Sequence, residues 1–155
     1  MPPKEVPVLL VDVDGVISLF GFDHTAPPAG FPVSVDGIPH WISDGAGPRL
    51  ERLSRTFECT WCTGWEERAE EHLPRLLGLP GGWRHLTLGP GWKLEAIDTN
   101  FGANRPIAWV DDQHDAKEAA WAASREGPTL LVTTDPAVGL TDEHVARLEL
   151  WRSTL

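Results

Sequence analysis

The sequence predicts a single α/β domain built around a parallel β-sheet. Short apolar runs alternate with segments of helical periodicity along the chain, an order typical of parallel sheets joined by right-handed crossovers. The chain has 155 residues, of which 41% are hydrophobic, which suffices for one compact core and is too short for two ordinary domains. We therefore expect residues 1–155 to form one domain.

Each element follows from a local pattern. The first strand is predicted over residues 6–12, because a continuous Val/Leu run there, bounded by Pro7 and Gly15, is typical of a strand covered on both faces. Four further strands are predicted over residues 57–62, 84–88, 106–110 and 128–134. Helices are predicted over 47–55, 65–79 (interrupted or ended near Pro74), 91–98, 114–125 and 141–152, the last capped by Thr141. Together these elements predict a Rossmann-like fold of three layers.

One segment departs from this alternation. Residues 18–46 are rich in Gly and Pro, and inside them an Asp36-Gly37 pair flanked by β-forming residues predicts a hairpin with a primed turn. A long excursion in a compact domain is more often functional than idle. We expect a small hairpin flap, with a partly ordered surface loop as the alternative.

Composition limits the classes of partner. Thirteen Lys and Arg against 23 Asp and Glu give a net charge of −10, which works against non-specific binding of polyanions. No run is long enough to span a membrane, and the first residues lack the layout of a secretory signal. We expect a cytoplasmic protein with no membrane partner, and no obligate protein partner is evident.

Two carboxylates follow the first strand directly. Ligands of open α/β sheets bind beyond the carboxyl ends of the strands, which is where Asp12 and Asp14 stand. Residues two apart on an extended chain face the same way, and two nearby anions need a cation or a shared proton. A hard divalent ion such as Mg²⁺, which prefers oxygen ligands at roughly 2.1 Å, meets this need. Gly15 then lets the chain turn away sharply.

A second acidic pair ends a later apolar strand. Asp111 and Asp112 follow the run "PIAWV" and precede a predicted helix. Asp is a common helix cap, so this pair alone has a plain structural alternative. Two strand-terminal acidic pairs in one small domain nevertheless favour a shared metal pocket of up to four carboxylates.

These residues resemble the four motifs of the haloacid dehalogenase superfamily. The resemblance rests, in chain order, on "DVDGV" at residues 12–16, a Thr ending the second strand, a Lys in a later helix, and Asp111-Asp112. It covers nearly the whole chain, and the first and fourth motifs carry most of its specificity. The stretches "LLVDVDGVI", "CTGWEERAEEHLPRLLGLP", "WVDD" and "TDPAVGLTDEHV" also look like the subgroup found beside Swiss Army Knife RNA repair proteins.

The resemblance implies a Mg²⁺-dependent phosphatase that forms an aspartyl phosphate. Asp12 would be the nucleophile, and Asp14 would protonate the leaving oxygen and then activate the hydrolytic water. Mg²⁺ would be held by Asp12, the backbone carbonyl of Asp14 and the second acidic pair, with Asp112 as the direct ligand and Asp111 as its support.

The resemblance also implies donors for the phosphate. Thr63 and the following helix N-terminus would bind a phosphoryl oxygen, and Lys93 would offset the charge of phosphate and nucleophile. Thr60 competes for the first role, and Lys117 for the second. The remaining phosphate-binding or substrate-binding positions implied are Gly15, Val16 and Gly64.

Substrate class depends on what covers the pocket. Superfamily members acting on small metabolites usually carry a cap domain, and the stretch from Thr63 to Lys93 is too short for one. An open site favours a bulky phosphorylated substrate such as a nucleic acid end or a phosphoprotein, and the subgroup resemblance favours RNA ends. The net charge of −10 argues against a nucleic acid.

Two other functions stay open. One is a non-catalytic module of the same fold that binds a phosphorylated ligand or partner. The other is a small redox protein using Cys59 and Cys62, although three residues apart on a predicted strand they fall on opposite faces, which favours buried structural cysteines. In the excursion, His24, His40 and Trp41 either approach the substrate or fold the loop onto itself.

Overall fold

A computed structural model describes residues 5–155. The strands in chain order are β1 (Val8–Val11), β2 (Gly30–Val35), β3 (Ile38–Ser43), β4 (Glu58–Trp61), β5 (Arg84–His85), β6 (Ile107–Asp111) and β7 (Thr129–Thr133). The helices are α1 (Ala46–Ser54), α2 (Glu67–Leu77), α3 (Trp92–Asn100), α4 (Ala116–Ser124) and α5 (Asp142–Ser153). The predicted α/β class with a central parallel sheet is confirmed.

The sheet has five parallel strands in the order β5-β4-β1-β6-β7. In β1, Leu9 and Val11 belong to one core cluster, with buried residues of α1, α2 and α5, and Val8 and Leu10 belong to a second, with α3. All four side chains are fully buried. The sheet is therefore the middle of three layers, which explains why β1 is apolar at every position.

The excursion contains the predicted hairpin. Strands β2 and β3 pair antiparallel, and the turn residues Asp36 and Gly37 have φ of 51° and 79°, as a primed turn requires. The Leu19 amide donates to the carbonyl of Trp41 at 2.8 Å, and the Ser43 amide donates to that of Ile17 at 2.9 Å. These bonds fix the base of the hairpin beside the loop that follows β1.

Helix α2 corrects one prediction. It continues through Pro74 to Leu77 and ends at Gly78, whose left-handed φ of 72° caps it. Proline removes one helical hydrogen bond, but Ala69 and Leu73 on the same helix are fully buried against the sheet. Packing of this apolar face outweighs the lost bond, so the helix ends at its glycine cap rather than at proline.

Two further boundaries differ from the predictions. Strand β5 has two residues, Arg84–His85, where five were expected, because it pairs only with Thr60 and Trp61 of β4 at the edge of the sheet. Helix α2 begins at Glu67, so a turn separates it from the end of β4. Among residues 5–155, no helix combines the length and apolar character that crossing a membrane would require.

Candidate functional site

The carboxyl ends of β1 and β6 meet because these strands are neighbours in the sheet. Val11 pairs with Val110, so Asp12 comes to lie beside Asp111 and Asp112. Each of the three carboxylates offers an oxygen atom, and these atoms all lie within 4.8 Å of one another. Asp12 and Asp111 are buried, and Asp112 is half-buried. The two acidic pairs of the sequence thus contribute three carboxylates to one small volume.

Lys93 lies between two of these carboxylates. Its Nζ is 2.6 Å from Oδ2 of Asp111 and 3.3 Å from Oδ2 of Asp12. Burial disfavours the ammonium, but attraction by Asp12 and Asp111 outweighs it and raises the pKa of Lys93 to about 12. The Lys93 ammonium therefore bridges two of the three carboxylates of the cluster.

The single ammonium does not compensate all of the negative charge. Burial raises the pKa of Asp12 to about 7, with repulsion by Asp111 adding to it and attraction by Lys93 opposing it. Burial, the hydrogen bond with Asp111 and repulsion by it raise the pKa of Asp112 to about 6. Three carboxylates against one ammonium leave a negative charge that either a retained proton or a further cation would offset. The all-oxygen donor set fits a hard divalent ion such as Mg²⁺.

The backbone at Gly15 lies so close to the acidic cluster that there is no room for a side chain. Gly15 has a φ of 82°, and a Cβ at this position would collide with the carboxylate of Asp112. Its carbonyl accepts a hydrogen bond from the buried hydroxyl of Thr134 at 2.7 Å. Glycine is therefore required here both by conformation and by the approach of Asp112.

Asp14 belongs to a different environment. Its carboxylate is 54% exposed and accepts a hydrogen bond from the indole Nε1 of Trp65 at 3.2 Å. His40 on β3 lies 4.0 Å away through Nδ1, and this nitrogen shares a 2.7 Å hydrogen bond with the Ser18 hydroxyl. The rings of His40 and Trp65 are 4.9 Å apart. Asp14 is thus held at the edge of the site by the hairpin and by the turn after β4.

Thr63 follows β4, as predicted, but its surroundings differ from the expectation. The side chain is buried, and Oγ1 accepts a hydrogen bond from the Trp65 amide at 3.2 Å. The helix N-terminus expected directly after it is displaced by the turn to Glu67. Gly64, rather than Thr63, lines the cavity. Thr60 lies within β4, fully buried, with a hydroxyl that has no hydrogen-bond partner among the described residues.

Val16 and Gly15 form part of a tight turn. The Val16 amide donates to the carbonyl of Val13 at 3.2 Å, and the Gly15 amide donates to that of Ser18 at 2.8 Å. The Val16 side chain is fully buried in the core. Their visible contribution is to shape the turn after Asp14.

The acidic cluster lies at the bottom of an open cavity of about 770 Å³. The hairpin forms part of its wall through Val35, Ile38 and His40, and the turn after β4 contributes Gly64 and Trp65. Lys117 also lines the cavity. A phosphate group would occupy only a small part of this volume, so there is space for a substantial substrate.

The structure distinguishes the residues whose roles the sequence left undecided. Asp115, not the acidic pair, caps α4, since its side chain accepts from the Lys117 amide at 3.1 Å. His40 reaches the cavity, whereas His24 and Trp41 contact the ring of Phe22 and fold the loop onto itself. Sequence reasoning missed Trp65 and Trp92, whose only signal was their adjacency to the second and third motifs.

The two cysteines are buried on opposite faces of the sheet. Cys59 belongs to one core cluster and Cys62 to the other. Burial raises the pKa of Cys59 to about 12 and that of Cys62 further still. Thiols that stay protonated are poor nucleophiles, so this placement favours a structural role.

Comparison with protein families and with curated proteins finds no match for this chain. The geometry of the site therefore has to be interpreted on its own chemistry.

Proposed function

We propose that this chain is a Mg²⁺-dependent phosphomonoesterase of the haloacid dehalogenase type, acting on a bulky phosphorylated substrate. The observation that carries the proposal is the contrast between two aspartates of one cavity. Asp12 is buried against Lys93, while Asp14 is exposed and held by Trp65. Two carboxyl groups in different environments are suited to different roles in one reaction.

Asp12 is the nucleophile of the proposed reaction. An oxygen of its carboxylate attacks phosphorus, and the bond from phosphorus to the leaving oxygen breaks as an aspartyl phosphate forms. Lys93, 3.3 Å from Asp12, stabilises the charge that gathers on the transferring group. The Asp12 carboxylate also accepts a hydrogen bond from the Val13 amide at 2.8 Å, which fixes its orientation.

Asp14 is the general acid and base. It gives its proton to the leaving oxygen in the first step and takes a proton from the attacking water in the second. That water breaks the bond between Asp12 and phosphorus, which releases inorganic phosphate and restores the carboxylate. Exposure of Asp14 to the cavity supports this role, because the leaving group and the water both reach it from solvent.

Mg²⁺ would be held by Asp12, the backbone carbonyl of Asp14 and Asp112, with Asp111 in support beside Lys93, and would supply charge neutralisation for the phosphoryl oxygens. Burial raises the pKa of Asp12, and a divalent cation bound beside it would favour the ionised form that attack requires. Gly64 offers a backbone at the cavity wall for contact with the phosphate. Lys117 is the alternative cation to Lys93, but Lys93 has the direct contacts.

The decisive experiment assays a broad panel of phosphate monoesters with Mg²⁺, with EDTA, and with Asp12→Asn. We expect turnover that EDTA abolishes and that Asp12→Asn lowers by about a thousandfold or more. We also expect acid-quenched protein to contain phosphorylated Asp12. Activity that survives both chelation and the substitution contradicts the proposal. Phosphate-dependent binding without turnover of any ester would instead identify a non-catalytic module.

A further inference from the structure

Exposed apolar side chains form part of the lining of the cavity. Six large hydrophobic side chains are exposed among residues 5–155, and three of them, Phe20, Ile38 and Trp92, line this one cavity. They come from the loop after β1, from β3 and from the start of α3. Exposed apolar groups that gather at one place from separate segments mark a binding surface more than chance exposure does.

Trp92 has the most constrained position of the three. Its φ of 58° is an unfavourable conformation for a bulky residue, and it closes a tight turn in which its amide donates to the carbonyl of Gly89 at 2.9 Å. The residue is 56% exposed despite this fixed backbone. Backbone strain of this kind is concentrated at functional sites.

The position of the Trp92 ring relates it to the reacting groups. The ring lies against Gly64, where a Cβ would be 3.5 Å from its Cη2 atom. The next residue along the chain is Lys93, which contacts Asp12 and Asp111. The indole therefore stands between the two segments that are proposed to hold the phosphate.

The charge of the cavity limits what else can bind there. Its lining contains six acidic side chains, namely Asp12, Asp14, Asp111, Asp112, Asp115 and Glu118, against three basic ones, Arg68, Lys93 and Lys117. Arg68 is moreover paired with Asp36 at 3.3 Å. One phosphate with its Mg²⁺ is compatible with this balance, whereas a chain of further phosphates is repelled.

We propose that Trp92, with Phe20 and Ile38, forms a subsite for a flat, uncharged aromatic ring on the leaving group of a single phosphate monoester. The inference rests on the proposed function for the position of the phosphate. Two sources offer this chemistry: a monoester with a simple aromatic ring, and a nucleoside monophosphate whose base provides the ring. Stacking on the indole explains why a tryptophan is held in a strained, exposed position.

The first test compares benzyl phosphate with cyclohexylmethyl phosphate, whose leaving groups have similar size and reactivity but differ in flatness. Because aromatic pairs contribute about 0.5–1.5 kcal/mol beyond their buried area, we expect kcat/KM to favour the benzyl ester by about twofold to twelvefold. Trp92→Phe should retain most of this preference and Trp92→Leu should remove it. Leu150→Ala, an exposed apolar residue outside the cavity lining, should leave it unchanged.

The second test uses a nucleoside 5′-monophosphate as the substrate. If Trp92→Leu lowers kcat/KM for the nucleotide more than for the benzyl ester, the ring comes from a base; the opposite order identifies a simple aromatic ester. Equal kcat/KM for the benzyl and cyclohexylmethyl esters, or a preference that survives in Trp92→Leu, overturns the inference.

A binding measurement separates this inference from the proposed function. Benzylphosphonate and methylphosphonate cannot be hydrolysed, and calorimetry with Mg²⁺ gives their affinities for the unmodified protein and for Trp92→Leu. One outcome is that the protein binds benzylphosphonate more tightly than methylphosphonate, loses this preference in Trp92→Leu, and hydrolyses no ester. That result would refute the proposed phosphatase activity and support the aromatic subsite. Equal affinity for the two phosphonates, or no binding of either, overturns the subsite even if ester hydrolysis is found.

Discussion

The indole Nε1 of Trp65 donates a hydrogen bond to Oδ2 of Asp14 at 3.2 Å, across 51 residues of chain. This bond links the turn after β4 to the aspartate that follows β1. It restrains the exposed carboxylate of Asp14 within the cavity that the acidic cluster also lines. The proposed acid and base therefore depends on a tryptophan to which the sequence analysis assigned no role.

Replacing Trp65 with Phe should lower kcat and leave KM nearly unchanged. A hydrogen bond to a charged group is worth about 1.5–3 kcal/mol, so loss of the indole donor should reduce kcat by about tenfold or more. Trp121→Phe is the matched control, because its indole donates at 3.0 Å to Asp98 on the surface. An unchanged kcat in Trp65→Phe, at a temperature where the variant is fully folded, would remove Trp65 from the mechanism.

The two lysines of the cavity should differ strongly in effect. Lys93→Met leaves the buried Asp12 and Asp111 without their cation, so activity should fall by a factor on the order of a thousand and the unfolding midpoint in EDTA should drop. Lys117→Met removes an exposed lysine from the cavity wall and should change kcat/KM only a few-fold. Steady-state kinetics of both variants measures these effects. A larger loss of kcat/KM in Lys117→Met than in Lys93→Met would assign the cationic role to Lys117.

Stabilisation by Mg²⁺ should depend on pH. The folded-state pKa of Asp12 is about 7 and that of Asp112 about 6, above the ordinary value near 4. The folded protein thus binds more protons than the unfolded chain between about pH 4 and 7, so without metal its stability falls as pH rises through this interval. Mg²⁺ binds the ionised carboxylates, and protons compete with it at low pH.

Thermal unfolding with an excess of MgCl₂ or with EDTA measures this effect. The increase in Tm on adding Mg²⁺ should be larger at pH 8 than at pH 5. Asp12→Asn should abolish most of the increase, and Asp142→Asn, on an exposed residue paired with Arg49, should preserve it. A Mg²⁺ effect of equal size at both pH values would show that these carboxylates do not bind the ion.

The main strands and the acidic cluster followed from local patterns in the sequence. The apolar runs of β1 and β6 end in aspartates, and adjacency of parallel strands brings those aspartates together. The primed turn at Asp36-Gly37 is likewise a local signal. These features were predictable because each depends on neighbouring residues and on the geometry common to parallel sheets.

What the sequence did not reveal depends on contacts between distant segments. Packing of Leu73 carried α2 through Pro74, against the local preference. The bond from Trp65 to Asp14 and the position of Trp92 against Gly64 join segments that no spacing rule relates. In a chain with eight tryptophans, composition alone could not indicate which of them face the site.

Two glycines with the same backbone conformation offer the sharpest test of the acidic cluster. Gly15 and Gly21 have φ of 82° and 78°, so replacement of either by Ala carries a similar conformational cost. Only at Gly15 would the new methyl group collide with the Asp112 carboxylate, whereas a Cβ at Gly21 meets no atom within 4 Å. Gly15→Ala must therefore displace Asp112 from its position beside Asp12 and Asp111.

Isothermal titration with MgCl₂ and kcat measurements at saturating Mg²⁺ should separate these two variants. We expect Gly15→Ala to weaken Mg²⁺ binding by about tenfold or more, the effect typical of disturbing groups around a metal site, and Gly21→Ala to bind Mg²⁺ like the unmodified protein. Both variants should lose stability in EDTA because alanine is strained at positive φ, and Gly15→Ala should lose more because of its collision with Asp112. If Gly15→Ala binds Mg²⁺ with full affinity while remaining folded, Asp112 is not a ligand, and the metal site must be assigned to other groups of the cavity.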